Sequence, residues 1–126
     1  IGTNDLTQFL FAADRSNPKL AERYDWLSPS ILRFLRRVLG STAGHQVDVT
    51  VCGEMGGRPL EALALIGLGI RRLSITPAAV GPIKELVRKI DIAEISAAMT
   101  GWLASPPADM REALQQWAGA RGLAVD

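Results

Sequence analysis

The sequence predicts an α/β protein in which short strands alternate with helices around a parallel sheet. Two β-like runs, at residues 47–51 and 73–76, are each followed by a longer segment with helical spacing. Strand–loop–helix repeats of this kind are typical of βα units. The chain has 126 residues, whereas a complete (β/α)8 TIM barrel needs roughly 250. We therefore expect about the C-terminal half of such a barrel, followed by terminal helices.

The first part of the chain predicts a turn and then two helices. Residues 2–5 are of types common in turns, residues 6–13 suit a helix, and residues 13–19 are expected to form a polar loop. Ser28 as N-cap and Pro29 at the first helical position predict the start of the next helix. Its buried stripe is expected to consist of Ile31, Phe34, Leu35, Val38 and Leu39. This helix is expected to stop at Gly40 or Gly44, with Arg33, Arg36 and Arg37 on its solvated face.

The first predicted strand covers residues 47–51 and places the only cysteine at its end. Its three valines share one face, whereas Asp48, Thr50 and Cys52 share the other. In a barrel, the more polar face would point to the axis and the valines would face the helices. Chemistry in such barrels lies at the carboxyl ends of strands. The alternation therefore favours a working thiol at this position.

The remaining elements follow from apolar spacing. A helix is expected over residues 60–68 and a short strand over 73–76, followed by three more helices. The stripes of those three helices are Val80, Ile83, Val87 and Ile90; Ile92, Ile95, Met99 and Leu103; and Met110, Leu114 and Trp117, the last opened by Ser105 and Pro106.

Composition excludes several classes of function. Hydrophobic residues make up 48% and charged residues 21% of the chain, and the net charge is +1. This balance predicts a soluble globular domain that binds neither nucleic acid nor membrane surfaces. No apolar run approaches the ~18 residues of a membrane span. A single cysteine without a disulfide partner fits the reducing cytoplasm. Because Ile1 leads almost directly into a turn, we expect a chain cut from a longer protein.

Each candidate residue has a structural and a functional interpretation. Cys52 is either a small core thiol or a reactive one. Asn4 and Asp5 either cap a turn, or Asp5 provides a hard oxygen ligand for Mg²⁺. Arg15 is either a surface charge or a fork for phosphate. Glu54 either caps the next helix or orients a neighbour, and these patterns alone leave the function undecided.

Taken together, three stretches resemble the PEP-utilising enzyme family. They are GTNDLTQ and AADRSNP within residues 2–18, VCGEMGG at residues 51–57, and GLGIRRLSITP at residues 67–77. Within that family, the resemblance is strongest to the end of the phosphoenolpyruvate (PEP)-binding barrel of enzyme I of the phosphotransferase system, and the tail resembles its nitrogen-branch form. It runs through residues 1–90, with residues 91–126 as terminal helices. Arg58 departs from the pattern, because many members carry Asp there.

The resemblance implies roles for five residues. Cys52 resembles the general acid that protonates the enolate of pyruvate after PEP has given up its phosphoryl group. Asp5 resembles an Mg²⁺ ligand, and Asn4 and Arg15 resemble residues that bind the substrate. Glu54 resembles an orienting residue.

The resemblance also implies partners and limits. A phosphorylated histidine on another domain, a phosphocarrier protein of HPr type and a homodimer are expected of the whole enzyme. Further substrate-binding residues of the family lie on strands that precede Ile1, so the isolated chain is expected to be inactive. The alternatives are a fragment of pyruvate phosphate dikinase or PEP synthase, or a non-catalytic α/β interaction module.

Overall fold

The computed structural model describes residues 1–14 and 16–125 as seven α-helices, one 3-10 helix and two short β-strands. In chain order these elements are α1 (Thr3–Phe11), the 3-10 helix (Pro18–Arg23), α2 (Pro29–Thr42), β1 (Thr50–Cys52), α3 (Glu54–Gly57), α4 (Pro59–Leu68), β2 (Arg72–Ser74), α5 (Pro77–Lys89), α6 (Ile92–Ala104) and α7 (Met110–Gly119). No helix in these residues is long and apolar enough to cross a membrane.

The sheet is parallel, as the alternation of strands and helices predicts. Strands β1 and β2 pair in a register that places Cys52 opposite Ser74. The segment before α1 joins the other side of β1, because Gly2 forms a parallel bridge with Cys52 and the Cys52 N–H donates to the Ile1 carbonyl at 2.9 Å. Three parallel segments thus lie side by side in chain order, and their carboxyl ends share one edge.

Both strands are shorter than the sequence predicts. Strand β1 begins at Thr50, and Val47 is 59% exposed, because β2 offers only three residues for pairing. Strand β2 ends at Ser74, since Thr76 and Pro77 already form the start of α5.

The turn expected at residues 2–5 is replaced by the first turn of a helix. Helix α1 begins at Thr3, directly after the bridge at Gly2, and continues to a left-handed cap at Ala12. Asp5 falls in its first turn, where the helix dipole favours a carboxylate. Asn4 and Asp5 are therefore held on a helix that starts at the edge of the sheet.

Helix α2 begins where Ser28 and Pro29 predict, but the side it buries is rotated from the predicted stripe. Leu32 is fully buried, whereas Phe34 of the predicted stripe is 38% exposed. The rotation arises because α2 packs against both α4 and α6. The helix continues through Gly40 and ends at Thr42.

Helix α4 is the centre of the core. It contacts α2, α3, α5, α6 and α7, and its residues from Leu60 to Gly67 are all buried. A helix that is apolar on nearly every side is typical of such a central position. Glu61 is its one buried charge.

The last three helices largely follow their predicted stripes. Ile83, Ile95, Met99, Leu103, Met110 and Leu114 are buried. Val87 and Ile92 instead remain 45% and 41% exposed. The start predicted for the last helix is wrong: α7 begins at Met110, because the Asp109 carboxylate accepts hydrogen bonds from two N–H groups of its first turn. Ser105 ends α6 instead.

Candidate active site

The candidate site lies at the edge where the three parallel segments end. Thr3 and Asn4 follow the first segment, Cys52 ends β1, and Ser74 ends β2. Residues that are 50 apart in the sequence are neighbours here. The GTND and CGEMGG stretches therefore lie together at the carboxyl ends of neighbouring parallel segments.

The thiol of Cys52 is exposed, while the neighbouring Val51 is fully buried. Its Sγ donates a weak hydrogen bond to the Ile1 carbonyl at 3.4 Å. The interpretation of Cys52 as a core thiol is wrong, because the strand alternation turns it away from the packed side.

The glycine after the cysteine is required by its backbone. Gly53 has a φ of +109°, and a Cβ there would lie 3.1 Å from the Thr3 hydroxyl oxygen. That hydroxyl donates to the Cys52 carbonyl at 3.2 Å. The start of α1 and the cysteine loop, residues 51–57, are therefore in direct contact.

Asn4 and Glu54 form a pair across this contact. The Asn4 Nδ2 donates to the Glu54 carboxylate. The Tyr24 hydroxyl donates to the backbone carbonyl of Asn4 at 2.6 Å. The Asn4 Oδ1 is buried and has no hydrogen-bond partner in the described part of the chain. Glu54 thus fixes the orientation of the Asn4 amide.

Of the two remaining predicted ligands, Asp5 for Mg²⁺ and Arg15 for the substrate, the structure describes only Asp5. Asp5 is exposed on α1, and its carboxylate is the hard oxygen donor that Mg²⁺ prefers. Within residues 1–14 and 16–125, no group of three or more His, Cys, Asp and Glu side chains could hold a metal ion. Because Mg²⁺ in phosphate-binding sites is held by one or two carboxylates with substrate phosphates and water, one carboxylate fits a partial set of ligands. Arg15 lies outside the described residues.

A cleft of about 720 Å³ opens beside the thiol. Its lining comprises Trp26, Cys52, Gly53, Glu54, Gly57, Arg58, Ser74, Ile75, Thr76 and Ala79. Asn4 and Asp5 are not among these residues. Pattern reasoning missed Trp26 as a lining residue, because no spacing connects it with the cysteine loop.

Arg58 and Trp26 form one wall of the cleft. The Arg58 guanidinium lies over the Trp26 ring, 5.7 Å from its centroid. The Trp26 ring also meets the Tyr24 ring edge-on, with centroids 5.9 Å apart. The only sequence signal for this wall was the unusual charge of Arg58.

An ion network around one buried carboxylate, that of Glu61, lies next to that wall. Arg111 on α7 donates to Glu61 at 3.0 Å and to Asp25 at 3.1 Å, and Glu61 is 2% exposed. Burial alone would lower the pKa of the Arg111 guanidinium, but the hydrogen bonds and charges of Glu61 and Asp25 outweigh burial and raise it. This network ties the last helix to the elements that carry the cleft.

Known proteins match most of the chain. Residues 1–92 match the PEP-binding domain of the PEP-utilising enzymes. The chain is 46% identical over 95 residues to a phosphoenolpyruvate-protein phosphotransferase of Borreliella burgdorferi, a match that covers 75% of this chain and 17% of that protein. It is 46% identical over 94 residues to a phosphoenolpyruvate-dependent phosphotransferase system protein of Escherichia coli, covering 75% and 13%.

A third relative is a multiphosphoryl transfer protein of Xanthomonas campestris. The chain is 44% identical to it over 88 residues, which cover 70% of this chain and 10% of that protein. The chain thus spans less than a fifth of each of these relatives. The family match contains the start of α1, the cysteine loop and β2, which together form the edge described above. The chain therefore belongs to the PEP-utilising enzyme family, as part of its PEP-binding domain.

Proposed function

We propose that this chain is part of a PEP–protein phosphotransferase, which transfers the phosphoryl group of PEP to a histidine and releases pyruvate. The observation that carries the proposal is the exposed Cys52 at the sheet edge, next to the Asn4–Glu54 pair, in a chain of this family. The names of the relatives support the same reaction.

In the proposed reaction, Cys52 completes the second half of the chemistry. The P–O bond of PEP breaks, the phosphoryl group passes to the histidine, and the enolate of pyruvate remains. The Cys52 S–H then gives its proton to the methylene carbon, which produces pyruvate, and the thiolate regains a proton from solvent. The exposed thiol beside the cleft suits this role, because a general acid must reach the carbon that it protonates.

The residues around the thiol are proposed to bind and orient the substrate. The Asn4 amide is held by Glu54 and carries a second N–H, which is a donor suited to a phosphate oxygen. Arg15 is proposed to form charge-assisted hydrogen bonds to the same substrate. Asp5 is proposed to hold Mg²⁺, which when bound neutralises charge on the phosphate.

We further propose that residues 1–90 form the last βα units of a PEP-binding (β/α)8 barrel, and that residues 91–126 are its terminal helices. Three parallel segments in chain order, with their chemistry at the carboxyl ends, support this architecture.

The proposed partners are those of a phosphotransferase system. They are PEP, a phosphocarrier protein of HPr type and a second copy of the enzyme in a homodimer. A free, exposed Cys52 supports a reducing compartment such as the cytoplasm.

The proposal is tested with Cys52→Ala in the full-length protein that contains these residues. We expect Mg²⁺-dependent transfer of the phosphoryl group from PEP to remain detectable, whereas steady pyruvate release falls by at least ~100-fold, the usual size of a general acid's contribution. Ser30→Ala, at an exposed position on α2 outside the cleft, serves as the control and should turn over normally. Unchanged turnover in Cys52→Ala would show that the thiol is not the proton donor.

A further inference from the structure

The cleft beside Cys52 contains one positive charge among its described lining residues, and that charge is Arg58. Its side chain is 61% exposed, so the guanidinium meets solvent at the cleft wall. The flat ring of Trp26 supports it from one side. Arginine on an aromatic face keeps its N–H fork available for a planar or tetrahedral anion.

A buried carboxylate competes for this arginine. Glu61 is 2% exposed, and its Oε2 lies 4.0 Å from the Arg58 Nε. A buried carboxylate requires a partner, because an unpaired charge in the core is strongly unfavourable. If Glu61 had no other partner, it would draw Arg58 away from the cleft.

Arg111 supplies that other partner. It donates to the Glu61 Oε1 at 3.0 Å, which is closer than the Arg58 contact. A second hydrogen bond, to Asp25 at 3.1 Å, holds Arg111 in place. The charge of Glu61 is thus neutralised from the side of α7.

We propose that Arg58 binds an anionic group of the substrate in the Cys52 cleft, and that Arg111 is a positioning residue that keeps Arg58 available by neutralising Glu61. This inference rests on the proposed function, in which the substrate PEP carries a carboxylate and a phosphate. The cleft has a volume of about 720 Å³, within the range of roughly 300–1,000 Å³ that is usual for small-molecule sites.

The first experiment replaces Arg58 in the full-length enzyme and measures pyruvate release as a function of PEP concentration. Arg58→Met keeps a long side chain on Trp26 but removes the charge, and we expect the KM for PEP to rise about 10-fold. The kcat should stay within about twofold, because Arg58 does not touch the atoms that exchange the proton. Arg58→Lys keeps the charge without the fork, and its KM for PEP should lie between those of Arg58→Met and the unmodified enzyme.

The matched control is Arg36→Met, which removes an exposed arginine from α2 outside the cleft. Its KM should equal that of the unmodified enzyme. Inhibition of Arg58→Met by inorganic phosphate and by pyruvate shows which anionic group Arg58 contacts. Weaker inhibition by phosphate alone indicates the phosphate of PEP, and weaker inhibition by pyruvate alone indicates the carboxylate. A KM within about twofold of the unmodified enzyme in Arg58→Met would overturn the proposal.

The second experiment separates positioning from general stability. Arg111→Met should raise the KM for PEP about as much as Arg58→Met, because Glu61 then draws Arg58 inward. Adding Glu61→Gln to Arg111→Met removes that pull and should restore the KM to within about twofold of the unmodified enzyme. A merely structural role for Arg111 predicts instead that Arg111→Met is less stable but that its folded fraction has an unchanged KM for PEP. If Arg111→Met does not fold, the double variant is compared directly, and a KM that is still raised about 10-fold overturns the role of Arg111.

The outcomes distinguish this inference from the proposed function. An unmodified enzyme without PEP-dependent activity would refute both. An active enzyme in which Arg58→Met behaves normally would refute only the inference.

Discussion

Gly53 joins β1 to α3 with a φ of +109°, a conformation that other residues adopt only with strain. We expect Gly53→Ala to lower the free energy of unfolding by about 2 kcal/mol, because backbone strain is added to crowding against the Thr3 hydroxyl. Urea unfolding of this chain, followed by circular dichroism, measures the change.

The matched control for that variant is Gly44→Ala. Gly44 also has a positive φ, +83°, but a Cβ there meets nothing within 4 Å. Gly44→Ala should therefore lower the free energy of unfolding by less than Gly53→Ala does, since only strain contributes. Equal losses in the two variants would mean that contact with Thr3 does not constrain the cysteine loop.

At the residue scale, the sequence indicated candidate side chains but not the contacts between them. Cys52 and Glu54 line the cleft as the glycine-rich motif suggests. The hydrogen bond from Asn4 to Glu54 joins residues 50 apart, and no local pattern contains such a contact. Trp26 reaches the cleft for the same reason, through tertiary packing rather than spacing.

Helices α4 and α6 pack closely against each other at Gly67. A Cβ at this position would lie 2.6 Å from the Met99 Cγ and 2.9 Å from the Ile95 Cγ1. We expect Gly67→Ala to lower the melting temperature and to reduce stability by about 1–3 kcal/mol, because the core has no room for the methyl group.

Gly101→Ala on α6 is the control for Gly67→Ala. Gly101 is exposed, and a Cβ there has open space. Because alanine favours helices, this variant should gain about 0.5–1 kcal/mol. Stabilisation of both variants would show that α4 and α6 pack less tightly than described.

Among the elements, long helices were predicted more reliably than short elements, although the buried side predicted for α2 was wrong. The apolar spacing in α6 and α7 predicted which side of each helix is buried. Over several helical turns, one exposed residue does not change the pattern. The four-residue α3 has too few residues to show a period, and it was missed. The strands were predicted too long, since their length is set by the partner strand rather than by their own alternation.

The chain of residues 1–126 alone is expected to be inactive and to associate with itself. Phe9 is 80% exposed and Val47 59% exposed, and the outer edge of β2 pairs with no other strand in the described residues. Exposed apolar side chains and open sheet edges favour association. Gel filtration should therefore show species larger than a monomer, and incubation with PEP and Mg²⁺ should give no pyruvate.

A stable monomer in that experiment, or accumulation of pyruvate, would contradict the view that these residues are one part of a larger barrel.

For the whole molecule, the parallel α/β class followed from the sequence because strand–helix alternation extends over many residues. The closure of a barrel depends on strands that pair with β2 and with Ile1 and Gly2, so no pattern within these residues could establish it.

The pair of Glu61 and Arg111 also constrains how this protein can change during evolution. Glu61 lies within the family-matched residues 1–92, whereas Arg111 lies in the helix beyond them. A lineage that loses the arginine first leaves the buried carboxylate with only the 4.0 Å contact to Arg58, and we expect such a change to lower the stability of the fold. We therefore expect replacement of Glu61 to precede or accompany loss of Arg111, which would couple the helix beyond residue 92 to the family-matched residues at these two positions.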